Sequence, residues 1–247
     1  MQLITLTLIL FMLLIPLPSI VLEVLWGVEV IFAIEILLGA FVGRKNDRLS
    51  KMLLYFSLFS LALNIAFLRF GLSSIMRQYE GISLICWFDE KVIDKKYLLA
   101  LIISIPLIIT DVLLVSTPSF HISEVSARFA LDSMNTKFFD IDNRLHKKEI
   151  CKEEADSQKK LVQKDVDSKS KLAGAAKFLS GCVKVCVLLL VLHLVIGTLL
   201  GIFASNYYFF DSLKATVPSF CVSSILFTVP QIIVGIAMNL KIKRKQF

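Results

Sequence analysis

The sequence predicts an all-α, polytopic integral membrane protein with about six transmembrane helices and a structured cytoplasmic loop between the fourth and fifth. Three observations predict it. Hydrophobic residues make up 56% of the chain and the mean hydropathy is +0.76, more apolar than an ordinary water-soluble domain. The apolar residues fall in runs long enough to cross a bilayer, not in short alternating segments. The lysines and arginines behind the net charge of +7 gather between those runs, a pattern of membrane orientation and not of a nucleic-acid-binding face. The chain divides into 1–116 with helices one to four, 117–180 as the loop, and 181–247 with helices five and six and a basic tail.

Residues 3–15 are apolar almost without break and end at Pro16-Leu17-Pro18. No basic segment precedes this run and no small-residue cleavage site follows it, so it reads as a short first span turning into a second and not as a signal peptide. The second span, Ile20 to Gly43, carries Glu23, Glu29 and Glu35. Six residues of helix turn through about 600°, so successive glutamates point about 120° apart. Glu23 lies near a membrane surface. Glu29 lies near the middle, where a carboxylate is costly unless protonated, paired or facing water. It is either a buried hydrogen-bonded residue or a station on a proton or ion path.

The third span, Met52 to Leu72, contains Asn64 and Arg69. Arg69 is near the end and can snorkel, whereas Asn64 is deeper and is expected to hydrogen-bond across helices. A mixed loop, 73–96, holds a small apolar segment, Ile82 to Phe88. Tyr97 to Ser116 is the fourth span, with Pro106 as a kink and Asp111 as its one acid. The fifth, Val183 to Ala204, has His193 near its centre, an interhelical hydrogen bonder or a proton relay. The sixth, Ala215 to Leu240, is interrupted by Pro218 and Pro230, and Lys241 to Lys245 form a basic tail.

Of the 27 lysines and arginines, 20 lie in the loop after the second span, the long polar segment and the tail. The positive-inside rule then places those regions and both termini in the cytoplasm. No phosphate-binding glycine loop, nucleophile elbow or zinc-protease motif is present. The five cysteines have no metal-ligand spacing, although Cys182 and Cys186 can share a helix face. Enzymatic chemistry, a cofactor, a metal and a nucleic-acid partner are therefore not expected.

The long segment from Thr117 to about Ser180 is nearly balanced in charge, and Lys147 to Lys171 suits a solvent-facing helix or pair of helices. Its first part, Glu124 to Leu145, mixes charge with Phe129, Leu131, Met134, Phe138, Phe139 and Ile141, so it is expected to pack onto something. The stretch EVSARFALDSM, followed by Lys137 and Ile141-Asp142, resembles the cytoplasmic loop of the flagellar and type III secretion export-gate family, the FHIPEP export-pore proteins. That family typically reads EVAARFxLDAMPGKQMAID. Glu124, Arg128, Phe129, Asp132, Met134, Lys137 and Asp142 fall in register. Ile15-Pro16-Leu17-Pro18 is similar to the family's first turn, Leu63-Asn64-Ile65-Ala66 with Arg69 to its LNxAxxR helix, and Gly174-Ala175-Ala176-Lys177-Phe178 with Gly181 to its GASKFxxG stretch. The departures are Asn135-Thr136 for Pro-Gly, Phe138-Phe139-Asp140 for Gln-Met-Ala, Ala173 and Cys182 for two acids, and Val222-Ser223-Ser224 for GDG.

The resemblance implies the front half of a membrane subunit of a protein-export apparatus. It also implies a homo-oligomeric ring in the lipid bilayer among other export-apparatus membrane subunits, with the membrane part coupling proton flow to export. By motif, Lys137 and Asp142 carry over as a loop charge pair that rearranges, and Asn64 and Arg69 as membrane residues. Read from the residues alone, a secondary transporter or channel using Glu29, Asp111 and His193 is the alternative, and an inactive export-gate fragment is a third.

Overall fold

The computed structural model describes residues 17–77 and 97–243. The first span at 3–15, most of the 73–96 loop with its Ile82 to Phe88 segment, and the tail beyond residue 243 lie outside the described residues, as does the side chain of Phe129. Every element is helical: α1 (Ser19–Val42), α2 (Asn46–Arg77), α3 (Tyr97–Asp111), a π-helical turn (Val112–Ser116), α4 (Thr117–His146), α5 (Lys152–Ser205) and α6 (Phe209–Lys243). Four of these helices are long and apolar enough to cross a membrane. α1 is a continuous 24-residue helix that carries three glutamates and is not one of these four.

α1 ends at Gly43, whose φ of 81° is open to glycine without a Cβ clash. The Gly43 and Arg44 amides bond back to the Ala40 and Gly39 carbonyls, which closes the helix and turns the chain into α2. In the middle of the polar segment, Cys151 caps α5 by accepting from the Glu154 amide, and Glu153 and Glu154 sit favourably in its first turn.

α6 is the central helix and touches all the others. Its membrane stretch is 72% buried, against 22–50% in the other three candidate spans. Lipid tails are as apolar as leucine, so packing and hydrogen bonds, not water exclusion, hold such a helix in place. α6 accordingly carries a stripe of small polar residues at helical spacing: Ser212, Thr216, Ser219, Ser223, Thr228 and Gln231 are all buried.

Pro218 and Pro230 do not break α6 as the sequence predicts; both lie inside one continuous helix. A proline has no N–H for the carbonyl four residues back. For Pro230 that carbonyl is Leu226, and it accepts from Trp26 Nε1 of α1 at 2.8 Å. For Pro118, at the start of α4, it is Leu114, and it accepts from Asn239 Nδ2 of α6 at 3.2 Å. Neighbouring helices thus supply donors that the prolines remove, as membrane bundles permit. Gly235 allows the second approach: a Cβ there would stand 2.9 Å from the Leu114 carbonyl oxygen.

The polar segment is a helical hairpin, the structured form expected of it, and it is continuous with the flanking spans. The π-turn passes directly into α4, and α5 runs through 180–181 without a break. α4 packs along α5, and a small core of Ile141, Ile150 and Ala155 closes the tip. The turn uses Lys148 at φ 60°. Charged residues do not oppose helix formation when they pair at i,i+4, as Lys169 does with Asp165 at 2.7 Å.

Candidate functional site

The helix pairings fix which residues share a height. Trp26 reaches Leu226, so α1 runs alongside α6 with Glu29 near the level of 229. Gly235 fits against Leu114 and Val115, which brings Asp111 of α3 to the level of about 231. The Ser116 and Ser180 hydroxyls meet at 3.0 Å between the π-turn and α5, so Asp111 lies opposite the turn holding Cys186.

The result is one buried polar layer assembled from five helices. Glu29 of α1 is 1% exposed, and Ser60 of α2, Asp111 of α3 and Gln231 of α6 are fully buried. Gln231 Nε2 donates to Ser60 Oγ at 3.1 Å, and the Glu29 carboxyl lies beside that serine. Cys186 of α5, also buried, lies on the turn opposite Asp111. Glu29 Oε1, both carboxyl oxygens of Asp111, Thr228 Oγ1 and Gln231 Oε1 have no hydrogen-bond partner among the described residues. Buried polar atoms are normally paired, so a cluster of open acceptors calls for an explanation. Chemically, the layer can receive a proton or a hydrogen-bond donor. Among the described residues no group of three or more His, Cys, Asp or Glu side chains could hold a metal ion.

The three glutamates of α1 separate as their spacing predicts. Glu29 faces inward, while Glu35 is exposed and pairs with Arg44 at 3.1 Å. Asn64 corrects the expectation of a bond to a neighbouring span: its Nδ2 donates to the Ser60 carbonyl of its own helix at 2.8 Å. The carbonyl one turn back is already in reach, so the short amide takes it. Arg69 is half-buried near the far end of α2. His193, fully buried, meets Ser219 of α6 through Nε2 at 3.2 Å and leaves Nδ1 without a partner among the described residues. Ser219 precedes Gln231 by twelve residues, about 18 Å along α6, so this is a separate level.

The hairpin does not pair Lys137 with Asp142. Five residues of helix set them about 140° apart. Asp142 instead binds Lys159 of α5 at 2.5 Å, and Lys159 also lies 6.0 Å from the centre of the Phe138 ring. Lys137 and Asp132 are exposed, Met134 is half-buried, and Glu124 pairs with Arg128 on the surface at 3.2 Å. Sequence reasoning singled out Glu29 and Asp111 but missed Ser60, Thr228, Gln231 and Cys186. The three- and four-residue spacing of polar residues along α6 was the available signal.

The FHIPEP family pattern matches residues 9–246. The chain is 30% identical to the flagellar biosynthesis protein FlhA of Helicobacter pylori over 199 residues, 79% of this chain and 27% of that protein. It is 30% identical to FlhA of Bacillus subtilis over 202 residues, 81% of this chain and 29% of that protein. With FlhA of Borreliella burgdorferi the identity is 28% over 236 residues, 93% of this chain and 34% of that protein. The chain therefore spans about a third or less of the length of these relatives. No solved structure matches.

Proposed function

The chain belongs to the FHIPEP family, and from that premise we propose that it is a membrane subunit of a bacterial flagellar or type III protein-export apparatus. In this reading it has no enzymatic chemistry of its own. It works in the inner membrane, in a homo-oligomeric ring beside other export-apparatus membrane subunits, with both termini and the hairpin in the cytoplasm. Its contribution to the export gate is proton coupling through the buried layer.

The observation that supports coupling is the pair of buried carboxyls, Glu29 and Asp111, with open oxygens in one layer among hydroxyl and amide groups. A carboxyl so placed can exchange a proton when a neighbouring helix shifts, because its surroundings decide which form is stable. The acids that the family resemblance leads one to expect at 173 and 182 are Ala and Cys here, so this chain's own membrane carboxyls would carry the step.

The test is proton flux into liposomes that hold the purified chain and an internal pH dye. Glu29→Gln and Asp111→Asn keep shape and much of the hydrogen bonding. The combined variant should lose most of the flux, and unchanged flux would remove the layer from the mechanism. Co-purification of other export-apparatus subunits from a detergent extract tests the assembly separately. For orientation, among the described residues Cys151 is exposed, while Cys182, Cys186 and Cys221 are buried. In a Cys86→Ser background, a membrane-impermeant thiol reagent should label Cys151 only in opened cells.

A further inference from the structure

An open groove of about 410 Å³ lies where α1, α2 and α6 leave the apolar bundle. Its walls are the α1–α2 turn from Gly43 to Asp47, the outer part of α5 around Lys164, and Lys241 of α6. Four cationic side chains line it, Arg44, Lys45, Lys164 and Lys241, against two acids, Asp47 and Asp165.

The acids are already engaged. Asp165 holds Lys169 at 2.7 Å, and Asp47 faces Lys171 at 3.9 Å. Two of the cations are also held: Arg44 by Glu35, and Lys241 through a 2.8 Å bond from its Nζ to the Arg44 carbonyl. Lys45 and Lys164 are exposed and have no acidic partner among the described residues. They come from different elements and converge on one cavity, so uncompensated positive charge is concentrated there.

The height of the groove selects the ligand. Gly43 closes the largely apolar helix α1, and Lys241 ends a helix long and apolar enough to cross a membrane, a height that corresponds to the phosphate level of a bilayer. The exposed side chain of Leu161 on its wall, 66% accessible, offers apolar contact that a free ion would not use. We propose that the groove binds the phosphate-bearing headgroup of an anionic phospholipid. Lys45 and Lys164 neutralise the phosphate, and Arg44 and Lys241 fix the wall behind it. Juxtamembrane cations acting on acidic lipids are a general device of this kind.

The test uses the full chain in detergent micelles doped with phosphatidylglycerol or phosphatidylcholine, with retained lipids counted by native mass spectrometry. Wild type should keep phosphatidylglycerol in preference to phosphatidylcholine. Combined Lys45→Gln and Lys164→Gln should cut that preference by roughly tenfold. Lys160→Gln, on the exposed face of α5 outside the groove, should leave it intact. Equal retention of the two lipids by wild type, or an undiminished preference in the double variant, would overturn the proposal. So would stripping of the phosphatidylglycerol by millimolar inorganic phosphate, which would make a soluble anion the ligand.

Discussion

Between Lys152 and about Lys171, α5 lies in the hairpin and, beyond the small core at its tip, is held by partly exposed contacts: Lys159 to Asp142, Lys169 to Asp165, and Arg144 to Gln158. From Leu172 to Ser205 the same helix is held by close packing and by buried hydroxyl and imidazole groups, with Ser180 against Ser116 and His193 against Ser219. The comparison shows one helix stabilised by two sets of forces. In the hairpin, solvent screens each ion pair and the contacts are individually replaceable. In the bundle, a polar atom that loses its partner finds no water to replace it.

The largest effect should follow from disturbing the bundle's backbone contacts. Gly235→Val places a branched side chain against the Leu114 carbonyl, which belongs to the packed π-turn and has little freedom to withdraw. A loss of about 3 kcal/mol is expected, from overpacking, measured as a lowered thermal transition of the purified chain in detergent. Retention of the wild-type transition would mean that the bundle is looser than its contacts indicate.

Next comes the donor that serves the Pro230 site. Trp26→Phe keeps the aromatic bulk and leaves the Leu226 carbonyl without its partner, at a cost of about 1–2 kcal/mol. In a Pro230→Ala background the backbone amide of residue 230 is restored, so the same Trp26→Phe change should cost little. Equal losses in both backgrounds would show that Trp26 acts by packing alone.

On the hairpin the effects should be smaller. Asp142→Asn should cost less than about 1 kcal/mol, because the pair with Lys159 is partly exposed, and the loss should shrink further at high salt. A larger or salt-independent loss would erase the distinction between the two halves. Smallest, and opposite in sign, is Gly174→Ala. Nothing lies within 4 Å of a Cβ at Gly174, and alanine favours a helix, so a gain of about 0.5 kcal/mol is expected.

The four helices long and apolar enough to cross a membrane were legible because hydropathy measures what the bilayer selects, and the separation of Glu29 from Glu35 followed from helical geometry alone. The helical hairpin was harder to read. Lys147 to Lys171 read as solvent-facing helix from its charge pattern, but nothing in that pattern showed that α5 would run on unbroken into the fifth span or that α4 would follow directly from the fourth. Pro230 argued for a break because its remedy, Trp26, lies on another helix 204 residues earlier. The pairing of Asp142 with Lys159 was hidden for the same reason: a motif written along one helix does not say which face of the next helix meets it. The layer around Ser60 and Gln231 depends on three-dimensional height, which only the set of helix pairings supplies.

The uninterrupted course of α5 has a mechanical consequence. Its 54 residues make a rod of about 80 Å, and from Cys186 to Lys152 the arm is about 50 Å. A tilt of about 5° at the buried layer would sweep the hairpin tip by about 4 Å, and a push of that size on the tip would return the same tilt to the layer. Because α4 continues through the π-turn into α3, the second arm of the hairpin ends beside Asp111. Torque applied to the tip is therefore delivered at both ends to the same cross-section of the bundle, with no joint along α5 to absorb it.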